Sequence, residues 1–326
     1  MKRREFIGVV GAAAVWPLAV RAGPAMPVIA VLGSGAIESS ASVTQMTLMA
    51  EGMHELGLTL GRDYAFEARW ADSDSSRFPA LARELLARQP KMVVVSTILA
   101  AKAVQDLSKT LPIVMSGLND PVAAGLVASL AHPGGNITGV STMAEDLLLK
   151  LIELLRQTLP DVHKIAVLTN PTNPSHRPML DTLVRQASKD GIDIATIRVA
   201  SSADLDGAFA ALSREQAGVL VILNDASLGA LVKDIAARAL AQGVPAAGFN
   251  FGLAQSGALL AYSRDPKDSY RSVARYLKKI LDGADPANLP IEQPTKFQLS
   301  INLGTARTLG IVVPAVLLAT ADEVIE

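Results

Sequence analysis

Cysteine is absent from the 326 residues. Its absence excludes disulfides, thiolate zinc sites, a cysteine nucleophile and a lipid anchor on an N-terminal cysteine. Aromatic residues are scarce at 4%, so a ligand site walled by stacked rings has few candidates. Phe249 and Phe251, flanking Asn250, are the pair to notice, suited either to core packing or to a wall for an apolar ligand. The four histidines, His54, His132, His163 and His176, lack metal-ligand spacing and read as surface or packing residues. No charge predominates, with 30 Lys+Arg against 31 Asp+Glu, so the basic stripe of a nucleic-acid binder is missing. There is no GxSxG and no Ser/His/Asp grouping in any motif. What is plentiful is apolar surface: 50% of the residues are hydrophobic, enough for two cores in a chain of this length.

The first stretch, MKRREFIGVVGAAAVWPLAVRA, has a charged start, an apolar middle and a small residue at a plausible cut after Ala22. It reads as an export signal over residues 1–22. Its apolar middle, Phe6–Val20, contains Pro17 and is shorter than the ~20 residues of a spanning helix; an N-terminal anchor is the alternative. Arg3-Arg4-Glu5-Phe6-Ile7 resembles the twin-arginine export motif, though a general secretory signal also accommodates paired arginines. Cleavage removes Lys2, Arg3, Arg4 and Arg21 but only Glu5, leaving a mildly acidic protein expected in the periplasm.

The rest of the chain is organised by an echo. Ile29–Gly35 (IAVLGSG) and Ile165–Asn173 (IAVLTNPTN) are short apolar runs that break into small polar residues, as buried parallel strands do. After each come a helix (Val43–Leu56; Pro174–Lys189) and a strand opened by a Gly/Asp turn (Tyr64–Trp70; Ile192–Val199). A second helix follows (Arg77–Arg88; Asp204–Ser213), then an apolar run (Met92–Val95; Val219–Leu223). A third helix and a Pro-entered strand close the unit (Pro112–Met115; Pro245–Gly248). The fold class is therefore α/β: two Rossmann-like lobes with parallel sheets. Lobe 1 is expected over residues 26–142 and lobe 2 over 143–263, opened by an amphipathic helix at Ala144–Thr158. Residues 264–326, with a helix at Ser269–Leu281 and a short strand at Phe297–Ile301, complete the two lobes.

In such units ligands sit beyond the carboxyl ends of the strands. That rule selects Ser34, Thr97, Asn119, Asp120 and Ser141 from lobe 1, and Asn170, Thr172, Asn173, Asn224, Asp225, Asn250 and Tyr262 from lobe 2. They are mostly amides, hydroxyls and carboxylates, which fix a solute by hydrogen bonds. Asp120, before a proline, reads by default as a turn or cap residue, with a ligand contact as the alternative. Asp120 and Asp225 are the carboxylates placed to meet an ammonium, and the helix after Asn170–Ser175, capped by Asn173 or Ser175, is expected to offer free N–H groups to a carboxylate. Gly33-Ser34-Gly35 is not a dinucleotide fingerprint: Gly35 is followed by Ala36, Ile37 and Glu38, and the strand ending at Trp70 lacks the terminal acidic residue.

The stretches EARWADSDSSRFPALARELL, LPIVMSGLNDPVAAGLVASLAHPGGNITGVS, KIAVLTNPTNP and QPTKFQLSINLGTARTLGIVVPAVLLATADEVIE carry a further resemblance. With them the chain resembles bacterial ABC-transporter substrate-binding proteins of the branch that includes tryptophan- and tyrosine-type members. The resemblance implies a type I periplasmic-binding-protein fold, with two lobes joined by three crossovers and closing on a small polar or zwitterionic solute. It implies delivery to an inner-membrane ABC permease, a monomer, no cofactor and no catalysis. The alternative from another class is a twin-arginine-exported enzyme such as a cofactor-dependent oxidoreductase.

Overall fold

Each apolar run becomes a strand buried on both faces, because alternate residues serve different cores. The computed structural model describes residues 26–250 and 252–326; the expected leader and Phe251 lie outside the described residues. The first sheet is built from β1 (Val28–Gly33), α1 (Ser40–Glu55), β2 (Ala65–Trp70), α2 (Phe78–Leu86), β3 (Met92–Val95), α3 (Ile98–Leu107), β4 (Ile113–Asn119) and β5 (Ile137–Thr142). Ala30, Leu32, Val93 and Val95 pack under α2 and α3 with Phe78, Leu81, Leu85 and Val104. Ile29, Val31, Met92 and Val94 face the other way, onto Met49 and Met53 of α1. Burying each such side chain contributes about 1.5–3 kcal/mol, so a two-residue period is enforced on both faces at once.

The second unit comprises α4 (Ala144–Thr158), β6 (Lys164–Thr169), α5 (His176–Lys189), β7 (Asp193–Arg198), α6 (Leu205–Glu215), β8 (Val219–Ile222), α7 (Ala226–Ala230), α8 (Val232–Ala241), β9 (Ala246–Gly248) and β10 (Leu260–Arg264). Its strands run in the order β7-β6-β8-β9-β10, which repeats the β2-β1-β3-β4-β5 order of the first. The echo between Ile29 and Ile165 is therefore a structural repeat.

Three crossings join the lobes. The chain first passes from β5 into α4 at Thr142–Ala144. It returns from β10 into α9 (Pro266–Leu281), which packs on α1: Ala274 lies against Gly52 and Arg271 pairs with Glu55 at 2.6 Å. Asp265 caps α9, accepting from the Lys267 and Asp268 amides, and Pro266 occupies its first turn. Glu292 then pairs with β5, through Ser141 N–H to Glu292 O at 2.9 Å and Glu292 N–H to Gly139 O at 3.0 Å. The third crossing leads to β11 (Phe297–Asn302), antiparallel to β10, followed by α10 (Leu303–Thr308), α11 (Ala315–Thr320) and β12 (Glu323–Ile325), parallel to β11. No helix among the described residues is long and apolar enough to cross a membrane.

Two expected boundaries move. Ser116–Asn119, expected beyond the strand end, forms the second half of β4. It pairs with β5 through a bulge between Ser116 and Leu118, where Gly117 takes φ +112°. Likewise β10 runs on past Tyr262 to Arg264. Polar composition suggested loops in both places, but the backbone bonds follow the neighbouring strand.

Candidate functional site

The strand ends of lobe 1 present the first group of polar side chains. Ser34 follows β1, where the Trp70 ring packs directly on Gly33, and the Ser34 carbonyl accepts the Ser73 N–H at 2.7 Å. Thr97 caps α3 through Oγ1, accepting from the Ala100 N–H at 3.1 Å. Asn119 ends β4: its Oδ1 accepts from Thr142 Oγ1 at 3.0 Å and its Nδ2 donates to Glu145 Oε1 at 3.1 Å, bracing the first crossing. Asp120 is exposed, has φ +35°, and accepts the Ala123 N–H at 2.9 Å, a turn-capping role. Ser141, on β5, is buried and its Oγ has no hydrogen-bond partner among the described residues.

Lobe 2 brings four expected residues into one network. Asn170 Oδ1 accepts from the Thr172 N–H (3.0 Å) and Oγ1 (2.8 Å), while its Nδ2 donates to Asp225 Oδ1 at 3.0 Å. Asn173 Nδ2 donates to Asp225 Oδ2 at 2.9 Å, and Asn173 Oδ1 accepts the Ser175 N–H at 3.0 Å. Asp225 Oδ1 also accepts from the Ser227 and Leu228 amides, capping α7. Thr172 and Asn224 are exposed. The Asn170–Ser175 loop thus differs from expectation. Helix α5 starts at His176, the Ser175 side chain makes no cap, and the Thr172, Asn173, Ser175 and His176 amides are taken up within the loop. A carboxylate would have to displace those bonds.

His176 is a latch, where sequence placed an ordinary histidine. Its Nδ1 accepts the Asn170 N–H at 2.9 Å, so Nε2 carries the proton, and it lies 3.1 Å from the Asn224 carbonyl. The ring ties the loop after β6 to the loop after β8. Burial holds its pKa below the ordinary histidine value, against the opposing pull of the Asn224 carbonyl and the Asp225 charge. With both ring nitrogens engaged on backbone, it has none to lend to a reacting group.

Asn250 follows β9 and keeps a buried Oδ1 without a partner among the described residues; Phe249 beside it is buried in the core of lobe 2. Tyr262, half-buried on β10, stacks on Phe297 with ring centroids 5.8 Å apart and packs against the same core. Two residues on lies Arg264, which sequence reading missed. Its guanidinium abuts the bulge of β4, so that a Cβ on Gly117 would sit 2.7 Å from both Nη atoms. Nη1 is buried without a hydrogen-bond partner among the described residues. Burial draws the Arg264 pKa down and pushes the neighbouring Tyr270 phenol up. The available signal was an arginine between a buried strand and an Asp-Pro helix start.

The lobes touch through the Arg264–Gly117 contact and through Ser227 Oγ, 3.4 Å from the Ser73 carbonyl oxygen. The charged depression between α4 and α5 lies on the outside of lobe 2, away from these strand ends. Among the described residues no group of three or more His, Asp or Glu is placed to hold a metal ion.

Two parallel-sheet lobes, three crossings and polar strand ends at their junction define the architecture of type I periplasmic binding proteins. A model of the family described as ABC transporter substrate binding protein matches residues 29–325, and the chain belongs to that family. Among curated proteins, it is 23% identical over 259 residues to the tyrosine-binding protein of Clostridioides difficile, covering 79% of this chain and 74% of that one. Among solved structures, it resembles a conserved domain protein from Vibrio cholerae (26% identity, TM-score 0.85) and an ABC domain in complex with L-Trp from Streptococcus pneumonia (22%, TM-score 0.85). Each comparison covers 92% of this chain and 99% of the other.

Proposed function

We propose that this protein captures an amino acid between its lobes and hands it to an ABC permease of the inner membrane. It would work as a monomer in the periplasm after loss of residues 1–22, without chemistry of its own. Residues 26–142 with α9 form one jaw, and residues 143–263 with the C-terminal strands form the other. The observation that carries the reading is the junction itself. Buried polar atoms without partners, Ser141 Oγ in one jaw and Asn250 Oδ1 and Arg264 Nη1 in the other, stand at strand ends where the fold holds its ligands. The tyrosine-binding relative and the L-Trp complex of a structural neighbour support an amino acid as the solute.

The ammonium falls to the carboxylates. Asp225 Oδ2 takes a single hydrogen bond, from Asn173, which leaves it room for another. Asp120 is the second candidate, from the opposite jaw. Closure around the solute excludes water and is driven by differential affinity for the closed form. Calorimetric titration with the twenty L-amino acids tests the reading: binding of one or a few at one site per chain is expected, with a more compact scattering profile at saturation. Heats of dilution across the whole set would refute it.

A further inference from the structure

Arg264 stands apart from the other arginines. The remaining arginines of the described residues are either in ion pairs or exposed to solvent. Among the described residues Arg264 has no ion pair; the side chain is half-buried, and its Nη1 is buried with no hydrogen-bond partner. A guanidinium remains charged in proteins, and a half-buried charge is disfavoured unless something of opposite sign completes it. Tyr270, its neutral neighbour, does not do so.

Its place in the fold says what would. Arg264 is the last residue of β10 and begins the second crossing, so it is held from both jaws. The side chain points across to lobe 1, where the missing side chain at Gly117 leaves room for the guanidinium. On β5, Ser141 is paired with Leu118, the next residue along that bulge. Asn250 lies two residues beyond β9, the strand bonded to β10. The strand pairing thus sets Ser141 on the strand beside the β4 bulge and Asn250 beyond the end of the strand beside β10. A planar fork of N–H donors suits a carboxylate, which a guanidinium grips through two parallel hydrogen bonds.

We infer that Arg264 anchors the carboxylate of the solute against the β4 bulge, and that the protein selects solutes bearing a free carboxylate. The inference deepens the proposed function by assigning the acidic end of the amino acid. It replaces the Asn170–Ser175 loop in that role, whose amides are already engaged.

The test uses thermal shift and calorimetry on the full-length mature protein with L-tryptophan, L-tyrosine, the other L-amino acids, acetate and succinate. For each compound that binds, the matching amide or decarboxylated amine is titrated as well, and wild type is compared with Arg264→Gln and Arg264→Lys. Wild type should lose at least a hundredfold in affinity when the carboxylate is replaced. Arg264→Gln should lose as much for the acid, with a ligand-free melting temperature equal to or above that of wild type, because a half-buried charge without an opposite partner has gone. Arg264→Lys should retain part of the affinity, the charge without the fork. Full affinity of Arg264→Gln for an amino acid would overturn the inference and leave the proposed function standing. Arg264-dependent binding of a carboxylate that is no amino acid would do the reverse. A wild type that binds only amides or amines, or none of the set, would overturn both. A large fall in the ligand-free melting temperature of Arg264→Gln, with affinity intact, would mark a structural residue.

Discussion

Lowering the pH should loosen the loops of lobe 2 through a single group. His176 is buried and neutral, accepting from the Asn170 N–H at 2.9 Å and facing the Asn224 carbonyl at 3.1 Å. Its pKa is lower in the folded protein than in the unfolded chain, where it takes the ordinary value of about 6.5. Between those two values the unfolded chain binds the proton and the folded protein does not, so stability rises with pH there. The His176 contribution is complete above the unfolded value and is lost as pH falls through it toward the folded one. The limiting slope is about 1.4 kcal/mol per pH unit. From pH 7.5 to 5.5 the loss is at most about 1.4 kcal/mol, or a drop of no more than roughly 2 °C in melting temperature for a chain of this length. The other three histidines are exposed, and ordinary carboxylates titrate below this window. His176→Gln provides the control, because a glutamine amide can accept and donate but cannot titrate here. Melting curves of both proteins across pH 5.5–7.5 should show a steeper dependence for wild type. Parallel curves would refute the latch.

Other outcomes follow from the same geometry. Gly139→Ala would place a Cβ 2.5 Å from Met115 O and 2.6 Å from Met115 N at φ +123°, inside the β4–β5 pairing; a loss above about 3 kcal/mol is expected in denaturant melts. Asp225→Asn removes an acceptor from the α7 cap and from two asparagine ties. It should cost about 1–2 kcal/mol in the ligand-free protein, with a further loss of affinity if Asp225 meets the ammonium. Asp120→Asn keeps a capping oxygen at an exposed turn, so its melting temperature should match wild type and any fall in affinity would report on the ligand directly.

The repeat was legible in the sequence because each strand is a short apolar run serving two cores, and α4 was read from Ala144 to Thr158 through its leucine stripe. The second half of β4 and the last two residues of β10 were not, since Ser116–Asn119 and Ser263–Arg264 are polar and are held as strand by their neighbours. The three residues of β12 carry no period to read. For the site, the strand-end rule named the asparagines, Asp225, Ser141 and Asn250, all of which lie at or near strand ends. It did not foresee that Asp225 would be drawn into a cap and two loop ties. His176 and Arg264 escaped because their roles depend on loops and strands brought together from afar: Asn224 lies 48 positions from His176, and Gly117 belongs to the other lobe from Arg264.

Capture of an amino acid between the lobes can be read from protein purified without added solute, by denaturing it and weighing what it releases. Close to one equivalent of an L-amino acid per chain is expected, lost when Arg264 is replaced by glutamine. Release of a solute with neither an ammonium nor a carboxylate, such as a sugar, would contradict it.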